Sequence, residues 1–143
     1  MNFEYPFKLT PAEEGGFLIN FLDFPETYSE GDSEDECFYM AQDVLNLTLT
    51  CLLEDDAPIP APSDADTKYK VAPSPQIQAA IAVRNAKDET RKNTADLARA
   101  MDTSWPVADK LTDPKHWPTL RQLDKAARAL GKRLIVKFED ASY

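Results

Sequence analysis

Apolar and polar residues alternate from the start of the chain: Phe3, Tyr5, Phe7 and Leu9 are separated by Glu4, Pro6 and Lys8. A period of two predicts a strand with one buried face, and Pro6, which has no N–H for a ladder, predicts a sheet-edge position. Glu13-Glu14-Gly15-Gly16 reads as a hairpin turn, and Phe17 to Phe21, apolar except at Asn20, as the return strand. Asp23-Phe24-Pro25 ends it, and Thr27 and Tyr28 start a third short strand that Gly31 stops. The period then changes. Phe38, Ala41, Leu45, Thr48 and Leu52 are spaced by three and four, with Cys37, Met40, Val44, Leu47 and Cys51 widening the stripe. Ser33 and Glu36 match a capping box, and Glu34, Asp35 and Glu36 fill the first turn, where the helix dipole favours acids. This helix is expected to reach about Leu53. Thr67 to Ala72 supplies a last strand, inside a Pro-rich surface connection over 58–75. The order β-β-β-α-β predicts an antiparallel sheet with a helix on one face.

The second half reads as mostly helical. Gln76 to Asp88 carries Ile77, Ala80, Ile81 and Arg84 on one side. Asn93 with Asp96 caps a short helix bearing Leu97, Ala98 and Met101. After the turn Asp102-Thr103-Ser104, in which Ser104 is a second cap, a short helix from Trp105 to Leu111 begins with Pro106 in its first turn. Asp113 to Pro118 is a loop. Thr119 and Gln122 box the start of a helix carrying Leu120, Leu123, Ala126, Ala127 and Leu130, and Gly131 ends it. Leu134, Val136 and Phe138 alternate with Arg133, Ile135 and Lys137, which predicts a terminal strand. With no sheet of its own nearby, that strand is expected to pair with its copy in a second subunit.

Charge separates the two halves more sharply than pattern does. Residues 1–75 hold three basic and sixteen acidic side chains, a charge of −13, whereas residues 76–143 hold thirteen basic and nine acidic, a charge of +4. The whole 143-residue chain carries −9, which argues against a general nucleic-acid coat or a membrane-surface protein. The imbalance instead predicts two units with different partners, an acidic one for a basic surface and a mildly basic one for a polyanion. No apolar run approaches a membrane span, and Met1 to Lys8 lacks the pattern of a secretory signal. A cytoplasmic location is the expectation.

Candidate chemistry follows from these units. Asp23, Glu26, Asp43, Glu54, Asp55 and Asp56 are acids of the kind that hold divalent metals, but nothing in their spacing brings them together, so no metal, cofactor or enzymatic activity is expected. Cys37 and Cys51 lie on one helix about 21 Å apart in rise and read as buried free thiols. In the second half, two short helices joined by a few residues form the helix-turn-helix unit. Its second helix would enter the major groove. Thr103, Ser104 and Trp105 would face outward at its start, Asp109 could accept from cytosine N4, and Lys110, Lys115 and His116 could reach bases or phosphates. The residues alone also allow a plain helical bundle with Trp105 and Trp117 in a core or dimer contact.

Several stretches resemble the HicB antitoxin family over nearly the whole length. They are Tyr5-Pro6-Phe7-Lys8-Leu9-Thr10-Pro11, Glu14-Gly15-Gly16-Phe17, Asp23-Phe24-Pro25-Glu26 before Glu30-Gly31, and helix residues Ala41 and Asp43 to Leu45. Glu54-Asp55, Ile59-Pro60, Pro62-Ser63, Asp96-Leu97-Ala98-Arg99 and Ala126 to Lys132 also match. The resemblance implies an α+β chain: a partial RNase H-like β-β-β-α-β domain lacking the nuclease's acids, over residues 1–72, a linker 73–75, and a mostly helical helix-turn-helix domain with a terminal strand over 76–143. It further implies that the first domain binds and occludes a small mRNA-cleaving HicA-like toxin. The second would dimerise and repress the operon by binding operator DNA. On position and charge, Asp23, Glu26, Tyr28 and Glu30 are the candidate toxin-binding residues. The chain departs from the family's pattern at Asp102, where such turns usually carry Gly, and at Trp105, where a polar residue is usual. Rival readings are a repressor whose acidic domain senses a ligand, which would need an apolar pocket, and a metal-dependent nuclease.

Overall fold

The computed structural model describes residues 2–141, so the expected outer bounds at residues 1 and 143 lie outside the described residues. Among the described residues the chain divides into two compact units, one comprising 2–74 together with 139–141, the other Pro75–Phe138. The first is a sheet packed against a helix and the second is helical, so the architecture is α+β.

In the first unit, strands β1 (Tyr5–Pro11), β2 (Phe17–Phe21), β3 (Tyr28–Gly31) and β4 (Lys70–Val71) form one antiparallel sheet in the order β3-β2-β1-β4. Helix α1 (Glu34–Glu54) covers one face. The β1–β2 turn has Gly15 and Gly16 at positive φ. A Cβ on Gly16 would stand 2.8 Å from the Gly31 carbonyl oxygen, so the hairpin needs glycine there. The core is aromatic. Phe7 lies within 6 Å of the rings of Phe21, Phe38 and Tyr69, and Tyr5 stacks obliquely on Phe24.

Several expectations for this unit need correction. First, β1 is interior rather than an edge. The Pro6 carbonyl stays in the ladder, accepting from Leu22 N–H at 3.2 Å, and the missing N–H falls past the last residue of β2, where no bond is lost. Second, β4 is two residues long rather than Thr67 to Ala72, because only its middle reaches β1. Third, the buried stripe of α1 runs through Cys37, Ala41, Leu45, Leu49 and Leu53 with Phe38 beside it, while Leu47 is exposed. A row of fours drifts around a helix with 3.6 residues per turn, so Thr48 and Leu52 sit on its shoulder. Fourth, only Cys37 is a buried thiol; Cys51 lies on the outer face. Ser33 caps α1 by accepting from Glu36 N–H, but the Glu36 carboxylate reaches Asp32 N–H, one residue before the expected box partner.

The second unit packs α2 (Pro75–Thr90), α3 (Thr94–Ala100), α4 (Trp105–Asp109) and α5 (Leu120–Ala129) around Val83, Leu97, Ala98, Met101, Ala108, Leu111, Ala126 and Leu130. Both expected capping boxes, Asn93 with Asp96 and Thr119 with Gln122, are formed. Ser104 occupies the N-cap of α4, but its hydroxyl makes no cap bond, and the helix gives way to a 3-10 turn at Lys110–Thr112 instead of continuing to Leu111. The terminal strand is absent among the described residues: 132–141 hold neither helix nor strand. A strand needs a backbone partner, and this unit has no sheet to offer one.

Four helices share one ending. Asp56, Arg91, Asp102 and Gly131 adopt positive φ, and the following N–H bonds back five residues: Ala57 to Leu52, Lys92 to Lys87, Thr103 to Ala98 and Lys132 to Ala127. This left-handed termination satisfies carbonyls that the helix end would otherwise strand. Aspartate at 102 tolerates it because its short polar side chain accepts the left-handed region better than most residues do.

Candidate functional site

Strand register decides what the first unit presents outward. Phe7, Ile19 and Phe21 point toward α1, so the alternate residues of each strand share the opposite face. That open face carries Lys8 and Thr10 of β1, Leu18 and Asn20 of β2, and Tyr28 and Glu30 of β3, with Tyr28 opposite Asn20 and Glu30 opposite Leu18. Leu22, half exposed, follows at the end of β2. Three large apolar side chains, Leu18, Leu22 and Tyr28, therefore stand in solvent together with Glu30, and Glu26 is exposed in the turn before β3. Among the described residues β3 is an outer strand of the sheet.

Asp23 behaves differently from the other three acidic-surface candidates. It is half buried and its two carboxylate oxygens accept from Ser63, one from the backbone N–H at 2.9 Å and the other from the hydroxyl. The Tyr5 hydroxyl donates to the Pro60 carbonyl at 2.7 Å. These contacts tie the Pro-rich connection onto the sheet. Burial, and behind it the Asp23 charge, pushes the Tyr5 hydroxyl up to about 12. Leu18 and Leu22 were missed from the pattern because an almost continuous apolar run conceals which residues face out.

In the second unit Ala108 and Leu111 are buried, which turns the other side of α4 outward. Trp105, Pro106, Asp109 and Lys110 are exposed, and their spacing of one, three and one puts them on one face. Thr103 and His116 are half buried, Ser104 and Lys115 exposed. The Lys115 N–H donates to the Asp113 carboxylate at 2.9 Å, which shapes the loop. Trp117 is also exposed, so neither tryptophan belongs to the core. Among the described residues no group of three or more His, Cys, Asp or Glu side chains is arranged to hold a metal ion, and no helix is long and apolar enough to cross a membrane.

Comparison with known proteins bears on this pair of surfaces. Residues 4–72 match the family model described as the HicB-like antitoxin of bacterial toxin-antitoxin systems. Antitoxin HicB 2 of Photorhabdus laumondii is 32% identical over 133 residues, covering 93% of this chain and 94% of the relative. The chain belongs to the HicB antitoxin family. Antitoxin HicB of Escherichia coli K12 is 30% identical over 131 residues, covering 91% of this chain and 95% of that one. Antitoxin HicB 1 of P. laumondii is 29% identical over 138 residues, or 96% and 88%. The similarity spans both units.

Proposed function

We propose that this HicB antitoxin neutralises an mRNA-cleaving HicA-like toxin with its first unit and represses its own operon with its second. The reading keeps the division 1–72, 73–75 and 76–143, with a partial RNase H-like fold for the first part and a helix-turn-helix for the second. The observation that carries it is the pair of contrasting surfaces: an open sheet face with Leu18, Leu22 and Tyr28 beside Glu26 and Glu30 in a −13 half, and a +4 half in which Lys110 is exposed directly after the short helix α4. A toxin that handles RNA has a basic surface, and an acidic partner with an apolar centre both steers toward it and covers it. Glu26, Tyr28 and Glu30 make the direct contacts, and Asp23 holds the connection that borders them. Inhibition is occlusion at fixed stoichiometry.

For DNA, α3 and α4 form the helix pair and α4 enters the major groove, with Thr103, Ser104, Lys115 and His116 at the backbone and Trp105, Asp109 and Lys110 at base edges. One unit of this size binds weakly. The apolar stretch Leu134 to Phe138, with Ile135, Val136 and Phe138 exposed, pairs with its copy in a second chain and supplies the dimer that two half-sites require. The test is co-expression with the product of the adjacent small reading frame. Growth arrest by that product, relieved by this chain with recovery of a stable complex, supports the toxin arm. A harmless neighbour and no complex refutes it. Salt-dependent binding to the DNA upstream of the operon tests the repressor arm separately.

A further inference from the structure

We propose that the outer face of α5 grips the phosphate backbone of duplex DNA through the row Arg121, Lys125 and Arg128; the inference rests on the DNA-binding reading above and deepens it. The positive charge of the second unit does not lie on its short helix pair. Residues 93–119, which hold α3 and α4, carry three basic and four acidic side chains, a charge of −1, whereas residues 120–138 carry six basic and one acidic, a charge of +5. Within α5 the basic residues are spaced by four and three, which gathers them on about 60° of the helix circumference. All three are exposed, and Ala126 and Leu130, at 1% and 2%, close the opposite side. Helix stability does not explain the row. Arg121 stands in the first turn, where the dipole disfavours a cation, and no acid shares that turn. Arg121 and Lys125 are like charges four apart, and Lys125 and Arg128 are three apart, so each pair repels. Among the described residues neither Arg121 nor Lys125 has an ion pair. Arg128 meets Asp124 at 3.2 Å, with the two side chains 77% and 49% exposed, a surface pair that water and salt keep weak. Only an anion outside the helix offsets this arrangement, and the row selects its kind. Protein interfaces have an apolar centre and are poor in Lys, and the row has no apolar member. The acidic sheet face of a second copy, centred on Leu18, Leu22 and Tyr28, is therefore a poor match for it. A DNA backbone is polar and carries charge continuously over the roughly 10 Å of rise from Arg121 to Arg128. Contacts to phosphate supply affinity without reading sequence.

The experiment uses the full chain and two labelled duplexes of equal length, the DNA directly upstream of its operon and an unrelated sequence. Binding is followed by fluorescence anisotropy from about 50 to about 200 mM salt. Arg121→Gln combined with Lys125→Gln should lower the slope of log affinity against log salt by about two on both duplexes, since each phosphate contact contributes about 0.9. The advantage of the wild-type chain over this variant should therefore grow roughly tenfold from the high salt to the low. The preference for operator over unrelated DNA should stay, and the melting temperature should not fall, because the variant removes a repelling pair. Asp124→Asn, which frees Arg128 and removes the one acid of α5, should tighten both duplexes and raise the slope by about one. An unchanged slope in the double variant overturns the proposal, as does a loss confined to operator DNA. Unchanged DNA binding with weaker self-association in analytical ultracentrifugation would assign the row to a second copy and also overturn it. Wild-type binding that the variants leave untouched removes this inference alone, whereas no salt-dependent wild-type affinity for either duplex removes the DNA reading itself, and this inference with it.

Discussion

The two units solve the same problem with opposite use of aromatic residues. In the first, Tyr5, Phe7, Phe21, Phe24 and Phe38 are buried between sheet and helix. In the second the core is aliphatic, and its three aromatics, Trp105, Trp117 and Phe138, all face solvent. A sheet-on-helix layer leaves wide gaps that flat rings fill, whereas short helices crossing closely are held by Ala, Leu, Met and Val. The rings that the helical unit does not need for stability are therefore free for contact. The difference teaches which residues to suspect: an exposed Tyr28 or Trp105 is more informative than any of the buried rings.

The largest effect is expected in the aromatic core. Phe38→Ala should destabilise the first unit by about 3–5 kcal/mol. Both tryptophans lie in the second unit, so the variant should lower the far-ultraviolet circular dichroism transition while the tryptophan fluorescence transition stays in place. Loss of both together would mean that the units do not melt independently. At the contact surfaces, Glu26→Lys with Glu30→Lys should slow association with the toxin roughly tenfold at low salt, read by stopped-flow mixing, and leave DNA affinity unchanged. Lys110→Ala should do the converse: weaker operator binding, with the slope against log salt reduced by about one, and full toxin neutralisation in the growth assay. A variant that loses both activities equally would break the division of labour.

Smaller effects probe the termination of helices and the tethered connection. Arg91 holds positive φ without a polar short side chain to ease it, so Arg91→Gly should raise stability in urea by about 1 kcal/mol. Tyr5→Phe removes the bond to Pro60 and should cost about 1 kcal/mol at neutral pH. It should also change the alkaline limb. The Tyr5 hydroxyl is raised from 10.0 to about 12 in the fold, so its neutral form is favoured there. That contribution is whole below pH 10 and is lost as pH rises through 12. The wild-type protein should lose stability across this window and Tyr5→Phe should lose less, in melts of the first unit.

How much of this was legible depends on range along the chain. Local chemistry read well: both capping boxes of the second unit, the glycine hairpin, the acidic first turn of α1 and Gly131 at the end of α5 all formed as their neighbours predict. Features set by distant partners did not. Pro6 looked like an edge residue because the place where β2 stops is invisible from β1. The pinning of Asp23 by Ser63 spans forty residues, and no local spacing announces it. The Leu134 to Phe138 stretch has the alternation of a strand, but pattern supplies a propensity and not a partner. The pattern does not single out Leu49 and Leu53, because a stripe projected from the first turns of α1 does not follow the drift of the row.

One consequence lies in the two thiols. Cys37 is 1% exposed, and a Cβ at Gly31 would come within 2.8 Å of its sulfur, so the helix start is closed against the strand with no room for a reagent. Burial, together with the charges of Glu36, Glu34 and Asp32, also holds this thiol above its ordinary range. Cys51, on the same helix, is exposed. The natural chain therefore carries a handle and a clock. A maleimide attaches at Cys51 at once, and every later modification at Cys37 records a moment when α1 has lifted from the sheet. Slower modification at Cys37 in the presence of toxin would measure how firmly the bound partner locks that door.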